Sequence, residues 1–324
     1  MNQFVKWVVV LMICAVSPAV RAESSAQGWP SHIIKAVIPF GAGSATDVVP
    51  RAVFDKLSTE LGQSIVVENR TGAGGTLGTG VVAHAEPDGY TVLAHSSAVA
   101  IAPALYPNLT YDVTKDLSSV LMLGSSVSVM ITSPSRPWKN IQEFLAATKA
   151  KDAAITYGSV GIGSATHIAA EKFRLAAGFA ATHVPYRGGA ETITDIMGGR
   201  IDFYFCPLST ALPLIKDGRV RALVVSSPRR VSELPDVPST TDIGLKDADS
   251  VSWFGVFMPS KTPRAIVDKF HAAGMKVLAQ PEMQAKLKQL AVDPMPMPPA
   301  DMDAFVKHEV EANAALLKSA AIKH

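Results

Sequence analysis

Along most of the chain, short apolar runs rich in β-branched residues alternate with stretches whose apolar positions recur every three or four residues. The first pattern fits a buried strand and the second an amphipathic helix. Residues 33–40 predict a strand. Residues 46–61 predict a helix, with Val48, Val49, Ala52, Val53, Leu57 and Leu61 on one face and Gly62 where a helix-ending glycine belongs. A second strand (64–68), a glycine-rich loop opening a second helix (72–80), the turn Glu86-Pro87-Asp88-Gly89 and a third strand (90–94) follow. The β-rich stretch 118–132 runs into Pro134 and Pro137 and reads as a crossing into another domain. Beyond it, helices at 141–150 and 191–197 alternate with strands at 154–157, 181–184, 201–205 and 222–226. Residues 251–258 predict a strand returning to the first domain. Three closing helices, 263–279, 281–290 and 299–321, each open with proline. Such alternation predicts an α/β fold whose sheets are mostly parallel and flanked by helices.

Two segments of this pattern repeat a phrase. IKAVIPFGAGSATDVV begins at Ile34, and AITYGSVGIGSATHIA begins at Ala154. Each places an apolar run before a glycine turn, then GxGSAT, then a helical pattern. A helix start offers unpaired N–H groups and a partial positive charge. Glycines before it let a ligand approach the backbone, so strand, turn and helix start together form an anion site. Ser44, Thr46, Ser164 and Thr166 add hydroxyl donors, or simply cap the helices. A dinucleotide loop needs a third glycine, but Thr46 stands there in the first loop and Leu77 in the stretch from Gly72. A phosphate loop needs a following lysine, which is absent. A carboxylate held between two domains accounts for the duplication, because each domain then contributes one helix N-terminus.

Composition narrows the setting. At 324 residues, 48% hydrophobic and 18% charged, the chain has the make-up of a folded protein long enough for two domains. Residues 1–22 read as a signal peptide: Lys6, an apolar stretch, then a small-x-small site ending at Ala22. Removing them leaves 28 basic and 28 acidic residues (30 less Lys6 and Arg21, against 28), a balance that gives no reason to expect nucleic acid as partner. Of the two cysteines, Cys14 leaves with the leader, and Cys206 alone cannot form an internal disulfide. The eight histidines show no metal-ligand spacing, so neither metal nor cofactor is expected.

The residues also carry a family resemblance. PFGAGSATD (39–47), VVENRTGAGGTLG (66–78), EPDGYTVL (86–93), PALYPNLTYD (103–112), TYGSVGIGSATHIAAE (156–171), HVPYRGGAETITDIMGGRID (183–202), LPDVPST (234–240) and SWFGVFMP (252–259) occur in order over essentially the whole mature chain. In these phrases it resembles the receptors of tripartite tricarboxylate transporters, the Bug-type periplasmic solute-binding proteins. The resemblance implies a two-domain periplasmic binding protein, type II-like and hinge-closing. It would capture a small organic carboxylate and deliver it to the membrane components of such a transporter, or present it to a sensor protein. It further implies a monomer, with residues 23–127 and 252–324 forming the first domain and residues 128–251 the second. Carried over by position, the first clamp is Phe40, Gly41, Ala42, Gly43, Ser44, Ala45, Thr46 and Asp47. The second is Ser159, Gly161, Gly163, Ser164, Ala165, Thr166 and His167, with Ser96, Ser97, Cys206 and Pro207 near the cleft. Ser44 departs from the family's frequent second glycine. Cys206 replaces a frequent acid or amide, and a neutral thiol implies a ligand without an amino group.

Each of these residues has a purely structural alternative. Asp47, on a first helical turn, complements the helix dipole without any ligand. His167 caps or lines more readily than it catalyses. Cys206 follows an apolar run and suits a buried packing role. Arg187, before Gly188-Gly189, either steers anions or faces solvent. A secreted hydrolase acting on carboxylate esters is the enzymatic alternative, but there is no G-x-S-x-G elbow and two symmetric cradles stand in place of one nucleophile.

Overall fold

The computed structural model describes residues 28–150, 154–245 and 248–319. The leader read at residues 1–22 lies outside them. Strand β1 (Ile34–Ile38) runs parallel to β2 (Ile65–Asn69) and to β3 (Thr91–Ser96) on either side. The long strand β4 (Leu117–Thr132) carries the chain into the second sheet. There β5 (Thr156–Ser159) lies parallel to β6 (Thr182–Pro185) and β7 (Phe203–Pro207), while β8 (Arg221–Val225) and β7 both pair antiparallel with the end of β4. Strand β9 (Val251–Pro259) returns and inserts antiparallel between β3 and the first part of β4.

The joint between the two halves is therefore made by two strands. Up to Val127, β4 pairs with β9; from Ser128 onward it pairs with the second sheet. The outer strands are parallel, as helix crossovers require, and the strands passing between domains are antiparallel. Register shifts between Ser119 and Leu121 and between Met122 and Gly124 bend β4 just before the joint.

Helix α1 (Ala45–Leu61) follows β1, and a single turn of 3₁₀ helix (Ala73–Gly75) leads into α2 (Thr76–Ala83). Helices α3 (Ala98–Leu105) and α4 (Val113–Asp116) precede β4. The second half holds α5 (Ile141–Ala147), α6 (Ala165–Ala177), α7 (Gly189–Met197) and α8 (Leu208–Lys216). Helices α9 (Arg264–Leu278), α10 (Pro281–Gln289) and α11 (Pro299–Ser319) close the first.

The cores follow from strand alternation. Ile38 faces Val53, Phe54, Leu57 and Phe270 on one side of the first sheet, and Val37 faces Trp253, Phe257 and Met302 on the other. In the second half Phe144, Phe173, Phe203 and Phe205 form an aromatic core, with Phe144 edge-on to Phe203 at 5.5 Å. Helices α3, α4 and α8 are not visible in the pattern of the sequence. Pro103 and Pro213 stand inside α3 and α8, and proline reads as a breaker. The run AVAIAPAL of α3 is buried almost all round, so it has no polar face to set a period. Among the described residues no helix is long and apolar enough to cross a membrane.

Candidate functional site

The first loop leaves β1 and turns at Gly43, whose φ of 79° is the left-handed conformation glycine adopts without strain. Two bonds fix it. The Ser44 N–H donates to the Gly41 carbonyl at 3.2 Å, and the Gly43 N–H donates to Asp47 Oδ2 at 2.9 Å. Asp47 Oδ1 also accepts from Arg51 Nε at 2.7 Å and from Asn69 Nδ2 at 2.8 Å. The same Asn69 amide donates to the Phe40 carbonyl. Burial pushes the Asp47 carboxyl up, but hydrogen bonds from Asn69, Gly43 and Arg51 outweigh it and hold it below its ordinary range. Asp47 is thus a buried brace beneath the loop, ionised at neutral pH.

The second loop repeats this geometry bond for bond. Gly163 turns with φ 77°, the Ser164 N–H donates to the Gly161 carbonyl at 3.2 Å, and the Gly163 N–H donates to His167 Nδ1 at 3.2 Å. To accept there, Nδ1 must be unprotonated. Burial, with the neighbouring His183, pushes the His167 pKa down to about 4. His167 stacks on His183 at 4.1 Å between ring centres, and His183 stacks on Tyr157 at 4.9 Å. Tyr157 Oη donates to Glu171 at 2.6 Å, which Arg174 also engages.

The loops differ in their serines. Ser164 Oγ donates to the Gly161 carbonyl at 2.7 Å and accepts the His167 N–H at 3.3 Å, capping α6. Ser44 holds the matching place on α1 yet makes no side-chain cap bond. Its Oγ is buried and has no hydrogen-bond partner among the described residues.

Between the loops lies a cavity of about 310 Å³. Phe40 through Thr46 line it on one side, Ser164, Ala165 and Thr166 on the other, with Ser96 and Pro207 alongside. The remaining residues carried over from the resemblance stand outside the lining. Asp47 and His167 brace their loops from beneath. Ser159 is buried, 2.7 Å from His183 Nε2. Gly161 contributes the carbonyl that Ser164 engages, and a Cβ built on Gly163 would meet Leu105 of the first half at 2.6 Å. Ser97 faces a second cavity. Cys206 is fully buried in the core with Val129 and Tyr204, and burial pushes its thiol far up.

Several lining residues escape sequence reasoning. Ser126, Val127 and Ser128 come from β4, and Ser252 and Phe254 from β9. They occupy the joint, where no local motif marks them. Arg187 and Gly188–Ala190 open α7 onto the same cavity, with Gly188 at the cap position and no side-chain cap. From sequence Arg187 reads as an anion-steering or solvent-facing side chain, and the glycine pair before a helical pattern is the signal for the rest. The starts of α1, α6, α7 and α8 thus converge on one space, among hydroxyls, with Arg187 the charged side chain of the lining. Converging N–H groups and one guanidinium suit an anion. Among the described residues, no group of His, Cys, Asp and Glu is placed to hold a metal ion.

Two α/β domains joined by paired strands, with helix starts from both facing one cavity, define a solute-binding protein of the periplasmic class. The chain belongs to the tripartite tricarboxylate transporter receptor family, whose description as "Tripartite tricarboxylate transporter family receptor" matches residues 49–322. It is similar to the periplasmic binding protein BugD, at 33% identity and a TM-score of 0.85, covering 91% of this chain and 99% of that one. The malate-bound MatC protein of Rhodopseudomonas palustris is 29% identical, with a TM-score of 0.83 over 89% of this chain and 100% of its own. A second R. palustris protein, solved with adipate, is 27% identical, with a TM-score of 0.86 over 91% of this chain and 99% of its own.

Proposed function

We propose that this receptor captures a small organic carboxylate, best a dicarboxylate without an amino group, and delivers it to a tripartite tricarboxylate-type transporter. The uncommitted Ser44 hydroxyl carries the reading. A buried hydroxyl without a partner is uncommon in folded proteins, and Ser44 belongs to the lining of a cavity rich in N–H donors. A ligand oxygen would complete it. One carboxylate would sit between the starts of α1 and α6, and the far one by Arg187 and the start of α7. Phe254, Val127 and Ile193 offer apolar contact for the spacer. Malate and adipate in relatives support the ligand class. The exclusion of an amino group rests on the absence of a carboxylate from the described lining, not on Cys206, which is buried away from it.

In this reading residues 23–127 and 252–324 move as one domain and 128–251 as the other, closing about the β4–β9 joint. Export with cleavage after Ala22, a periplasmic monomer and presentation to a membrane transporter or sensor complete it. Ester hydrolysis is disfavoured because Ser164 Oγ bonds to a carbonyl and a backbone N–H, with no histidine base among its hydrogen-bond partners. A thermal-shift series with mono-, di- and tricarboxylates and NAD tests the proposal. A dicarboxylate should raise the melting temperature with concentration, NAD should not, and the amino analogue should fail to displace the bound acid. No shift with any acid, for protein shown by mass spectrometry to be ligand-free, would overturn it.

A further inference from the structure

A second cavity, of about 320 Å³, lies on the opposite face of β9 from the cleft. Strand alternation separates the two. Ser252 and Phe254 face the cleft, while Val251 and Trp253 face the second cavity. Its size falls at the lower end of small-molecule sites, roughly 300–1,000 Å³. Its walls come from both halves of the molecule: α6 supplies Ile168 and Lys172, and α11 supplies Phe305, Glu309 and Asn313.

The chemistry of these walls differs from that of the cleft. Lys172 Nζ reaches the Asp249 carbonyl at 3.3 Å, and Glu309 accepts a long hydrogen bond from Trp253 Nε1 at 3.4 Å. Neither Lys172 nor Glu309 enters an ion pair among the described residues, although they line one cavity from opposite domains. Asn313 is 8% exposed, and its side-chain amide has no hydrogen-bond partner among the described residues. Its amide is free to bond to an occupant of the cavity that it lines. Trp253, Phe305 and Ile168 provide an apolar surface beside these polar groups.

We infer that this rear cavity is a second small-molecule site, taking an α-amino acid with an apolar side chain. The carboxylate engages Lys172, the ammonium engages Glu309, Asn313 bonds to either, and the side chain lies against Trp253 and Phe305. A lysine and two acidic residues in one lining, Lys172 with Asp249 and Glu309, complement a zwitterion better than a simple acid, which would leave the acids unpaired, or a simple amine, which would leave Lys172 unpaired. The cleft, whose lining offers a guanidinium without a carboxylate, selects the opposite way.

Calorimetry on the mature protein with L-phenylalanine and L-leucine tests this site, with phenethylamine as the probe lacking a carboxylate. L-phenylalanine should bind the wild type and a Gly41→Leu variant, whose cleft is filled, with equal affinity. Lys172→Met and Glu309→Gln should each weaken it at least tenfold, and phenethylamine should bind at least tenfold more weakly than L-phenylalanine. Both altered side chains are partly exposed, and unchanged melting temperatures would confirm that these variants fold. Absence of binding by both amino acids would overturn the inference. So would binding that is lost in Gly41→Leu and unaffected by Lys172→Met, since that result places the amino acid in the cleft.

Discussion

His167 accepts the Gly163 N–H on Nδ1 at 3.2 Å, the bond that Asp47 accepts from the Gly43 N–H at 2.9 Å in the matching loop. One brace is ionised and the other neutral, so the two loops respond differently to acid.

The pH dependence follows from His167. Its folded pKa is about 4 against 6.5 for the free side chain, so between these values the unfolded chain binds more protons. Stability is therefore complete above about pH 6.5 and declines as pH falls toward 4. His95, 1% exposed with a pKa also pushed down to about 4 by burial, acts in the same direction. Urea denaturation at pH 7.5 and pH 5 should show the loss, and His167→Asn should make it smaller. An equal loss in the variant would move the effect to other groups.

Removing the other brace should damage the first loop. Asp47→Ala leaves the Gly43 N–H and the Arg51 Nε–H without this acceptor and the Asn69 amide with only the Phe40 carbonyl. The expected cost is about 2–3 kcal/mol, since buried donors lose their partners. Denaturation midpoints measure that cost. Ligand affinity should fall with it, and wild-type affinity in a destabilised variant would show that loop order and binding are separable.

The two serines should respond in opposite ways. Ser164→Ala removes a helix cap and should destabilise the unliganded protein by about 1 kcal/mol. Ser44→Ala removes a buried hydroxyl with no partner, so stability should hold or rise. Its ligand affinity should drop about two- to tenfold, the worth of one hydrogen bond. Matched melting curves and titrations of both variants decide the point, and unchanged affinity in Ser44→Ala would remove that hydroxyl from the site.

Gly41 offers a clean way to block the cleft. A Cβ there meets nothing within 4 Å, and its φ lies outside the left-handed region, unlike that of Gly43. Gly41→Leu should therefore abolish carboxylate binding and change stability by less than about 0.5 kcal/mol. Gly163→Leu should instead destabilise, because its Cβ would run into Leu105 and its φ is 77°. Retained binding in Gly41→Leu would place the ligand elsewhere.

The alternation of short strands and helices, the two glycine turns and the closing helices were legible in the chain, because each depends on residues near one another in sequence. Helix α1 extends over Ala45–Leu61 where its apolar face and Gly62 place it. Glycine and serine spacing pointed to the parts of the loops that line the cavity. Whether Ser44 or Ser164 keeps a free hydroxyl was not legible, because both follow the same phrase and differ only in what folds against them. From sequence Cys206 suited either a buried packing role or the edge of the cleft, and the core around β7 decides for burial. Ser126, Ser128, Ser252 and Phe254 reach the cleft only because β4 and β9 pair across more than a hundred residues, and Lys172 and Glu309 line one cavity for the same reason. Local chemistry set the elements and the two glycine turns. Which side chains meet across the joint was decided by tertiary packing, since strand pairing at long range leaves no periodic mark on either strand alone.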